Sequence, residues 1–592
     1  MKKIWKLKTL YSQDSSEDID ISVFTKEMRN LKTNVQLPDI ILKLLYIRGI
    51  RDYQKVLKFF RPSLDKLYDP QLMKDCDKAA NRVIEAIDNK EKIMILGDYD
   101  VDGTCGVSMF YLYLKKNFGM EPDIYIPDRI DEGYGISVQG INLAKEKKIS
   151  LIIAIDCGIT AAEKIDYAKS IGVDFIICDH HQPPEKIPDA VAVMDPVRED
   201  DDYPFKYLCG TGVAFKLAQR ISTLKGNPEM PNSLIDLVAI ATASDIVPLY
   251  DENRILVKEG FDLINKNPRL SLRVLIESSG LKVGNLTTSN MVFTLAPRIN
   301  AVGRLGDAKR AVELLTCEDS DKIKEFAFIL NDENQNRREI DKTITDDVYK
   351  IYDESSMLEN KKSIVIHNEE WHPGVVGIVA ARLVEKYNLP SIVLTTVNGV
   401  GKGSARSINS FNIYEALKQC TDLLIQFGGH FHAAGLEIEL SKIDEFKKAF
   451  NEIASNEITA EQMIPEIEVD AEITLEELNE KIIKILSFFE PFGPDNMAPV
   501  FITRDLQIIG EVRFTNKANT HIFKVMENDS KKIFESIFFN SPEYRYDENT
   551  DHDGTGKIKT GNYCDICYSV DRSFWNGREY TKLRIRDMVI SS

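Results

Sequence analysis

A short apolar run that ends in three alternating aspartates is the feature that most constrains this chain. Ile93–Gly97 has no helical spacing and is bounded by charge and by glycine, a pattern typical of a buried strand in a parallel sheet. Asp98, Asp100 and Asp102 follow it directly. They therefore lie past the carboxyl end of a strand, where open α/β sheets build their sites. Three adjacent carboxylates can all ionise only beside cations, so the pattern predicts a hard divalent metal.

The same aspartates also match the first half of an EF-hand calcium loop. That loop takes a bidentate Glu at its twelfth position, where this sequence has Met109, and it follows a helix rather than a strand. The strand-end site is therefore the favoured interpretation. A solvated acidic turn remains open for this segment taken alone.

Two further apolar runs, 151–155 and 174–178, end in the same way. Segments with helical spacing separate the runs, so strands and helices alternate, which predicts an α/β fold with a doubly wound parallel sheet. The carboxyl ends of parallel strands meet at one edge, and the residues there are expected to lie together. The polar residues that follow these two runs are Asp156, Asp179, His180 and His181.

Together these strand ends predict a metal centre. Oxygen-rich coordination with one or two imidazoles suits Mn²⁺ or Mg²⁺ better than zinc. Five or more carboxylates are too many for one ion, whereas two ions that share a bridging carboxylate would use them all, and such sites hydrolyse phosphoesters or phosphoanhydrides. Each aspartate alone is equally consistent with a helix N-cap, and each histidine with a core or surface group. Their co-occurrence favours the site, and its candidates are Asp98, Asp100, Asp102, Asp156, Asp179, His180, His181 and Asp245.

The rest of the chain divides into further parts. Composition is ordinary for a globular protein, with 43% hydrophobic and 28% charged residues. About five strand-like runs near the end predict a small barrel, which an OB-fold fits, and the acidic segment 541–561 between them is predicted to be a mobile loop. The predicted parts are a helical lead-in (1–75), a first α/β domain (76–319), a connecting helix (320–358), a second, smaller α/β domain (359–458) and the β-barrel (459–592).

Charge and cysteine usage narrow the function classes. No apolar run approaches the roughly 20 residues of a membrane span, and the lysines at the N-terminus precede no apolar run of a secretory signal. Nine scattered cysteines indicate reduced thiols in the cytoplasm. The net charge of −18 argues weakly against a nucleic-acid binder, because a local basic groove can exist in an acidic protein.

Several motifs resemble those of the DHH phosphoesterase superfamily. Asp98–Gly103, Asp156–Gly158, Asp179–His181 and Thr242–Asp245 are similar to its four catalytic motifs. The motifs 403–407 and 428–430 resemble those of the DHH-associated C-terminal domain. Three more segments resemble the RecJ family of bacterial single-strand-specific 5′→3′ DNA exonucleases, and this resemblance covers residues 40–592; the segments are 129–135, 296–305 and 491–494.

The resemblance implies a role for each candidate residue. Asp98 and Asp179 would lie close to the metals and orient their ligands, and His181 would face the scissile phosphate. A second set would hold the 5′ end and backbone of the substrate, because guanidinium groups bind phosphate in a bidentate manner; a structural ion pair is the alternative for each arginine. The implied metal ligands are Asp100, Asp102, Asp156 as the bridge, His180 and Asp245. The implied substrate-binding residues are Arg129, Arg304, Ser404, Arg406, Gly429 and His430.

The resemblance also implies an activity. A single strand of DNA would thread a cleft between the two α/β domains and be hydrolysed to nucleoside 5′-monophosphates with two metal ions, in DNA repair and recombination. The barrel would add a sequence-tolerant surface, with Phe492, Phe514, Phe523 and Trp575 as candidate stacking residues. Expected partners are single-stranded DNA, a single-strand-binding protein and a helicase, with no membrane. The alternatives are a DHH phosphodiesterase for short oligonucleotides or cyclic dinucleotides, and a non-catalytic single-strand-binding scaffold.

Overall fold

The computed structural model consists of two compact units, residues 63–463 and residues 1–62 with 464–592. No helix within the described ranges is both long and apolar enough to span a membrane. Most of the predicted mobile loop lies outside those ranges. The described residues are 3–8, 11–12, 15–18, 21–30, 36–129, 131–356, 361–515, 517–529, 531–541, 557–575 and 578–591.

The N-terminal segment forms one unit with the end of the chain. Its elements are β1 (Ile4–Leu7), β2 (Tyr11–Ser12), β3 (Ser15–Asp18), α1 (Ile21–Asn30), α2 (Asp39–Ile47) and α3 (Tyr53–Phe60). β1 pairs in parallel with the strand Glu466–Val469. Helices α2 and α3 bury their apolar faces in the core of the C-terminal region, where the rings of Phe59 and Phe489 lie 5.1 Å apart. No local pattern in residues 1–75 indicates this distant partner.

The first α/β domain is built on a five-stranded, wholly parallel sheet. Its strands are β4 (Ile93–Gly97), β5 (Asp123–Tyr125), β6 (Leu151–Ile155), β7 (Asp174–Cys178) and β8 (Ala192–Met194). Their order is β5–β4–β6–β7–β8. Alternate side chains of β4 enter opposite helical layers, so both faces of the sheet are covered. The doubly wound sheet predicted from the sequence is confirmed, and its strand order reverses at β4, which opens a crevice beyond the ends of β4 and β6.

Helices surround this sheet and lead out of it. They are α4 (Cys76–Asp88), α5 (Val101–Phe118), α6 (Val138–Glu146), α7 (Ala162–Ser170), α8 (Gly210–Leu224), α9 (Ile235–Ser244), α10 (Asp251–Lys266), α11 (Leu270–Ser278), α12 (Thr288–Asn290), α13 (Ala296–Leu305), α14 (Lys309–Thr316) and α15 (Ser320–Ser356). α6 and α7 cover one face of the sheet, and α4, α5, α8 and α9 cover the other. A π-helical turn, Met291–Leu295, precedes α13, and the 37-residue α15 occupies the segment predicted to connect the two α/β domains.

The second α/β domain has a mixed sheet. Its elements are β9 (Ile364–His367), α16 (Val376–Tyr387), β10 (Ser391–Val397), β11 (Val400–Arg406), α17 (Ile413–Gln419), β12 (Gln426–His430), β13 (Ala433–Glu439) and α18 (Ile443–Glu457). The strand order is β12–β13–β11–β10–β9, and only β9 and β10 pair in parallel. The glycine-rich stretch after residue 399 is the strand β11, and a Cβ at Gly403 would lie 2.5 Å from Leu394, so that glycine serves close strand packing.

The chain ends in a closed five-stranded barrel. The elements of this region are β14 (Glu466–Val469), β15 (Ala471–Glu472), α19 (Glu480–Ser487), β16 (Val500–Thr515), β17 (Thr520–Glu527), β18 (Ile533–Phe538), β19 (Tyr563–Trp575) and β20 (Arg578–Ser591). Neighbouring barrel strands run β16–β17–β18–β20–β19 and back to β16, with β18 and β20 parallel. This arrangement confirms the predicted OB-fold-like barrel.

The four candidate stacking residues of this region have different environments. Phe523 is buried in the barrel core, and Phe492 packs against that core, so Phe523 is a structural residue. Phe514 contacts His521, with ring centroids 4.8 Å apart. The side chain of Trp575 lies outside the described part of the chain.

Candidate active site

The structure brings the predicted acids and histidines together at the carboxyl edge of the parallel sheet. Asp98 follows β4, Asp156 follows β6 and Asp179 follows β7, and all three are buried. Asp245 reaches the same place from the C-terminus of α9. The described residues contain three groups of potential ligands, and within each group the ligand atoms lie within 4.8 Å of one another. They are Asp98, Asp100 and Asp156; Asp102, His180 and Asp245; and Asp156, His180 and His181.

Asp100 and Asp102 are fixed by backbone hydrogen bonds. Asp100 caps α5, and its Oδ1 accepts from the amides of Asp102 and Gly103 at 2.8 and 3.1 Å. The carboxylate of Asp102, only 1% exposed, accepts from the amides of Gly210 and Thr211 at 2.6 and 2.9 Å. These amides belong to the first turn of α8, where the helix dipole favours a negative charge. The sequence interpretation missed this contact, because no local pattern indicates that α8 begins beside Asp102.

Asp156 has a strained backbone. Its φ of 62° lies in the left-handed region, which aspartate tolerates better than most residues. The amide of Asp156 donates to the carbonyl of Cys178 at 2.8 Å, and a Cβ at Gly210 would lie 2.6 Å from the Asp156 Cα. The surrounding structure therefore holds this carboxylate in place at a conformational cost, as is common at functional sites.

Four buried polar atoms in this cluster have no hydrogen-bond partner among the described residues. They are Asp98 Oδ1, Asp156 Oδ1, His180 Nε2 and Asp245 Oδ2. His180 Nε2 lies 3.2 Å from Asp156 Oδ1 and 3.6 Å from Asp245 Oδ2. Buried polar groups are nearly always paired, so convergent unpaired acceptors fit a bound cation.

The protonation equilibria of the cluster indicate the same need for positive charge. Burial and the charge of neighbouring carboxylates raise the pKa of four aspartates, and burial lowers the pKa of His180. Divalent cations would lower the raised pKa of these carboxyls, and the neutral imidazole that the lowered pKa of His180 favours can bind a cation. The four aspartates are Asp98, Asp100, Asp156 and Asp245.

Asp179 and His181 form an oriented ion pair beside the cluster. Burial raises the pKa of Asp179, but the hydrogen bond and charge of His181 outweigh burial, and the net pKa is about 2. Burial likewise lowers the pKa of His181, whereas Asp179, 2.7 Å from its Nδ1, raises it to a net value of about 9. Tyr134 Oη lies 3.2 Å from the His181 ring and donates to the carbonyl of Asp156 at 3.1 Å. The sequence interpretation missed Tyr134, which stands between two glycines in a noted motif.

Three arginines from distant segments form a second cluster. Arg129 follows β5, Arg304 lies near the C-terminus of α13, and Arg406 ends β11. None of the three contacts a carboxylate in the described chain; Arg304 Nη1 donates to the carbonyl of Gly374 at 3.1 Å, and Arg406 Nη1 donates to Ser404 Oγ at 2.9 Å. Among the described residues, therefore, none of these three arginines forms the structural ion pair that was the alternative to phosphate binding.

The arginines are close enough to repel one another. Burial lowers the pKa of Arg304 to about 10, and the charges of Arg129, Arg337 and Arg406 contribute. Burial, followed by the charge of Arg129, also lowers the pKa of Arg406. Such a concentration of guanidinium groups without carboxylates can bind an anion such as phosphate.

Further residues connect the two clusters. The guanidinium carbon of Arg129 lies 4.8 Å from the ring centroid of Tyr99, which stands between two aspartates of the acid cluster. Gly429 has a φ of 151° in the β12–β13 hairpin. Desolvation and the charges of His432 and Arg406 lower the pKa of His430 in that hairpin. His372, missed from the sequence, accepts from the amide of Gly374 at 3.1 Å, and burial and the charge of Arg129 lower its pKa.

Three protein-family models match the chain. The N-terminal domain of the DHH family matches residues 92–242, the DHHA1 domain matches residues 360–456, and the RecJ OB domain matches residues 469–587. The matched segments lie in the two α/β domains and the C-terminal region described above.

Curated relatives and solved structures extend the similarity over most of the chain. The single-stranded-DNA-specific exonuclease RecJ of Bacillus subtilis is 36% identical over 567 residues, covering 95% of this chain and 70% of the relative. The protein of the same name from Haemophilus influenzae is 30% identical over 529 residues, covering 86% and 90%. The structure of RecJ in complex with Mn²⁺ from Thermus thermophilus superimposes with a TM-score of 0.80 at 25% identity, covering 99% of this chain and 79% of that one.

Proposed function

The chain belongs to the RecJ family of single-stranded-DNA-specific exonucleases, and on that premise we propose that it hydrolyses single-stranded DNA from the 5′ end and releases nucleoside 5′-monophosphates. The observation that carries the proposal is the convergence of four buried polar atoms that lack hydrogen-bond partners among the described residues, beside a cluster of arginines that contact no carboxylate there. The first feature fits cations, and the second fits the phosphates of a nucleic acid.

We propose that two divalent ions, Mn²⁺ or Mg²⁺, bind the acid cluster. The resemblance implied that Asp98 only orients the ligands, but the distances between ligand atoms support adding it to them. One set of ligands would then be Asp98, Asp100 and Asp156, and the other would be Asp102, His180 and Asp245. Asp156 would be shared, since its Oδ1 lies 3.2 Å from His180 Nε2. When bound, the ions would neutralise charge on the phosphoryl oxygens and lower the pKa of water. The oxygen-rich donor set with one imidazole suits these hard ions.

The arginine cluster would hold the 5′-terminal phosphate. Arg129, Arg304 and Arg406 supply the guanidinium groups, and the neighbouring substrate contacts would be Ser404, Gly429 and His430. Hydrolysis breaks the bond between phosphorus and O3′ of the terminal nucleotide; the oxygen of water joins phosphorus, and O3′ leaves with a proton. The shortened strand then carries a new 5′-phosphate, which the same arginines can hold for the next cycle.

His181 would act on the reacting phosphate. The carboxylate of Asp179 at Nδ1 favours the protonated ring, which can donate a hydrogen bond to a phosphoryl oxygen. Asp179 fixes the ring through Nδ1, and Tyr134 Oη lies 3.2 Å from the ring. Asp179 would therefore be a positioning residue, held in turn by the amide of Ile159 at 2.9 Å.

The proposed setting is DNA repair and recombination in the cytoplasm. All nine cysteines are free, eight of them buried, which suits a reducing compartment. The barrel would supply a further binding surface for the single strand. A single-strand-binding protein and a helicase are the proposed protein partners, because both accompany single-stranded DNA.

The test is an end-label experiment on purified protein. A long single strand labelled at the 5′ or the 3′ end is incubated with Mn²⁺, and a duplex and a reaction with EDTA serve as controls. Immediate release of labelled mononucleotide from the 5′-labelled strand alone, absent from both controls, is the expected result.

Other outcomes would contradict the proposal. If the long strand stays intact while di- to tetranucleotides or cyclic dinucleotides are consumed, the protein is a short-substrate phosphodiesterase. Binding of the strand without metal-dependent cleavage would instead establish a non-catalytic scaffold.

A further inference from the structure

A groove between α11, α13 and α15 lies outside the acid and arginine clusters. It encloses a cavity of about 540 Å³. None of the residues that line it is acidic, although the whole chain carries a net charge of −18. The lining residues that matter below are Arg298, Lys324, Phe328, Asn331 and Arg338.

Two arginines, Arg298 and Arg338, line this groove without a counter-charge among the described residues. Arg298 Nε donates to Asn331 Oδ1 at 2.6 Å, its Nη1 donates to the carbonyl of Thr294, and Asn331 is itself held by Ser278 Oγ at 3.0 Å. Burial and the charge of Arg338 lower the pKa of Arg298. Neither arginine contacts a carboxylate within the described ranges. The arrangement holds two like charges together at a cost that an anion would remove.

The groove also presents an aromatic ring to solvent. Phe328 is 71% exposed on α15, one helical turn after Lys324. Lys324 pairs only with Asp321, an exposed residue of the same helix, at 3.2 Å among the described residues. An exposed ring among cations and side-chain amides is the combination with which proteins bind single-stranded nucleic acid, since every base has a face that can stack.

The groove is connected to the arginine cluster. Arg298 and Arg304 lie six residues apart on α13, which places their Cα atoms roughly 9 Å apart along the helix axis. Arg337, the neighbour of Arg338, lies close enough to Arg304 for its charge to lower the pKa of Arg304. The groove and the proposed 5′-phosphate site are thus built in part from the same helix α13.

We propose that this groove is an additional binding stretch for the same DNA strand, with backbone phosphates on Arg298 and Arg338 and a base stacked on Phe328. The inference rests on the proposed function and extends it, because it assigns a contact to nucleotides away from the scissile bond. Short substrates that end at the metal centre do not reach the groove, whereas long strands do.

The test compares substrate lengths in the full-length protein. Arg338→Glu and Phe328→Ala change exposed side chains, so the fold is expected to persist. Both variants should raise KM for a 5′-phosphorylated 30-nucleotide strand about 5- to 20-fold, while the kinetics on a 5′-phosphorylated tetranucleotide stay at the wild-type level. Arg338→Glu should also make the slope of log binding constant against log salt concentration less steep, by the amount expected for about one lost phosphate contact.

The control is Lys322→Glu, which makes the same charge change at an exposed position of α15 that does not line the groove. Equal KM values for Arg338→Glu and Lys322→Glu on the long strand would overturn the inference. Equal losses of activity on the tetranucleotide and the 30-mer would also overturn it. So would a groove that binds an acidic peptide but neither length of DNA. A wild-type protein that degrades no single strand would instead overturn the proposed function.

Discussion

The acid cluster and the arginine cluster, which belong to the same unit, concentrate buried charge of opposite sign. In the acid cluster, buried carboxylates lie close together, and three of their oxygens and one imidazole nitrogen have no hydrogen-bond partner among the described residues. In the arginine cluster, buried guanidinium groups crowd together but donate to neutral carbonyl and hydroxyl oxygens. Each cluster is therefore unfavourable by itself, and the ligand that relieves one is opposite in charge to the ligand that relieves the other.

The two clusters also differ in how the chain builds them. The acids follow consecutive strands of one parallel sheet, so the sheet itself brings them to one edge. The arginines come from a loop, a helix end and a strand of another domain, spread over residues 129–406. The proposed metal centre thus depends mainly on one sheet, with Asp245 added from α9, whereas the proposed phosphate site needs residues of both α/β domains.

The largest expected effect tests whether the acid cluster depends on Asp156. Asp156→Asn keeps a residue that tolerates the left-handed backbone at φ 62° but removes the charge shared between the two ligand sets. We expect kcat to fall about a thousandfold, equivalent to roughly 4 kcal/mol. Hydrolysis of a single strand measures the rate, and titration calorimetry with Mn²⁺ measures the stoichiometry. The control is Asp189→Asn, an exposed acid paired with Lys169 at 2.5 Å; retained activity in Asp156→Asn would refute the shared-ligand role.

The next effect tests whether the arginine cluster recognises the 5′-phosphate. Arg406→Ala should lower kcat/KM about 10- to 100-fold on a 5′-phosphorylated strand and much less on a 5′-hydroxyl strand, because a charge-assisted hydrogen bond is lost. Arg382→Ala is the control, since Arg382 is ion-paired with Asp341 at 2.6 Å and should not affect the preference. Equal losses on both strand ends would separate Arg406 from 5′-phosphate recognition.

A third prediction concerns how the stability of the metal-free protein depends on pH, because the acid cluster should dominate that dependence. Burial and neighbouring carboxylates raise the pKa of Asp98, Asp156 and Asp245 above 3.8, so the folded state binds protons that the unfolded chain does not. His181 acts in the same direction, because the stability from its ion pair is complete below pH 6.5 and is lost as pH rises through about 9. The lowered pKa of His180 opposes both, but by one group only.

In EDTA, we therefore expect Tm to rise by about 2–5 °C as the pH falls from 8 to 5. Mn²⁺ should reverse the trend, because cations bind the deprotonated ligands. Asp245→Asn should flatten the rise in EDTA by removing one of the raised carboxyls. A Tm that falls on acidification in EDTA would show that the carboxylates are not crowded as described. Thermal denaturation followed by circular dichroism measures each case.

The smallest effect concerns the residue that joins the clusters. The ring of Tyr99 lies under Arg129, and a cation–π contact of this kind contributes about 0.5–1 kcal/mol. Tyr99→Leu should raise KM about two- to fivefold for 5′-phosphorylated strands, whereas Tyr99→Phe should retain the wild-type value. If both substitutions have the same effect, the hydroxyl rather than the ring face is what matters.

The acid cluster could be predicted from the sequence more fully than the arginine cluster. The acids at 98, 156 and 179 could be placed from apolar runs and from the geometry of parallel sheets. Asp245, at the end of a helix, was a weaker candidate from the residues alone, and the arginines could be assigned only through a family resemblance, because no local pattern says which distant segments will meet. Tyr134 and the amide contacts of Asp102 were missed for the same reason.

The pairing of residues 1–62 with residues 464–592 has a consequence for biosynthesis. Helices α2 and α3 leave the ribosome before residues 63–463, but the core that covers their apolar faces is made after those residues. At about 5–20 residues per second, the intervening residues 63–463 take roughly 20–80 seconds to synthesise. The growing chain must therefore keep these apolar segments from aggregating while residues 63–463 fold, and a chaperone that binds short apolar helices would find its site in α2 and α3.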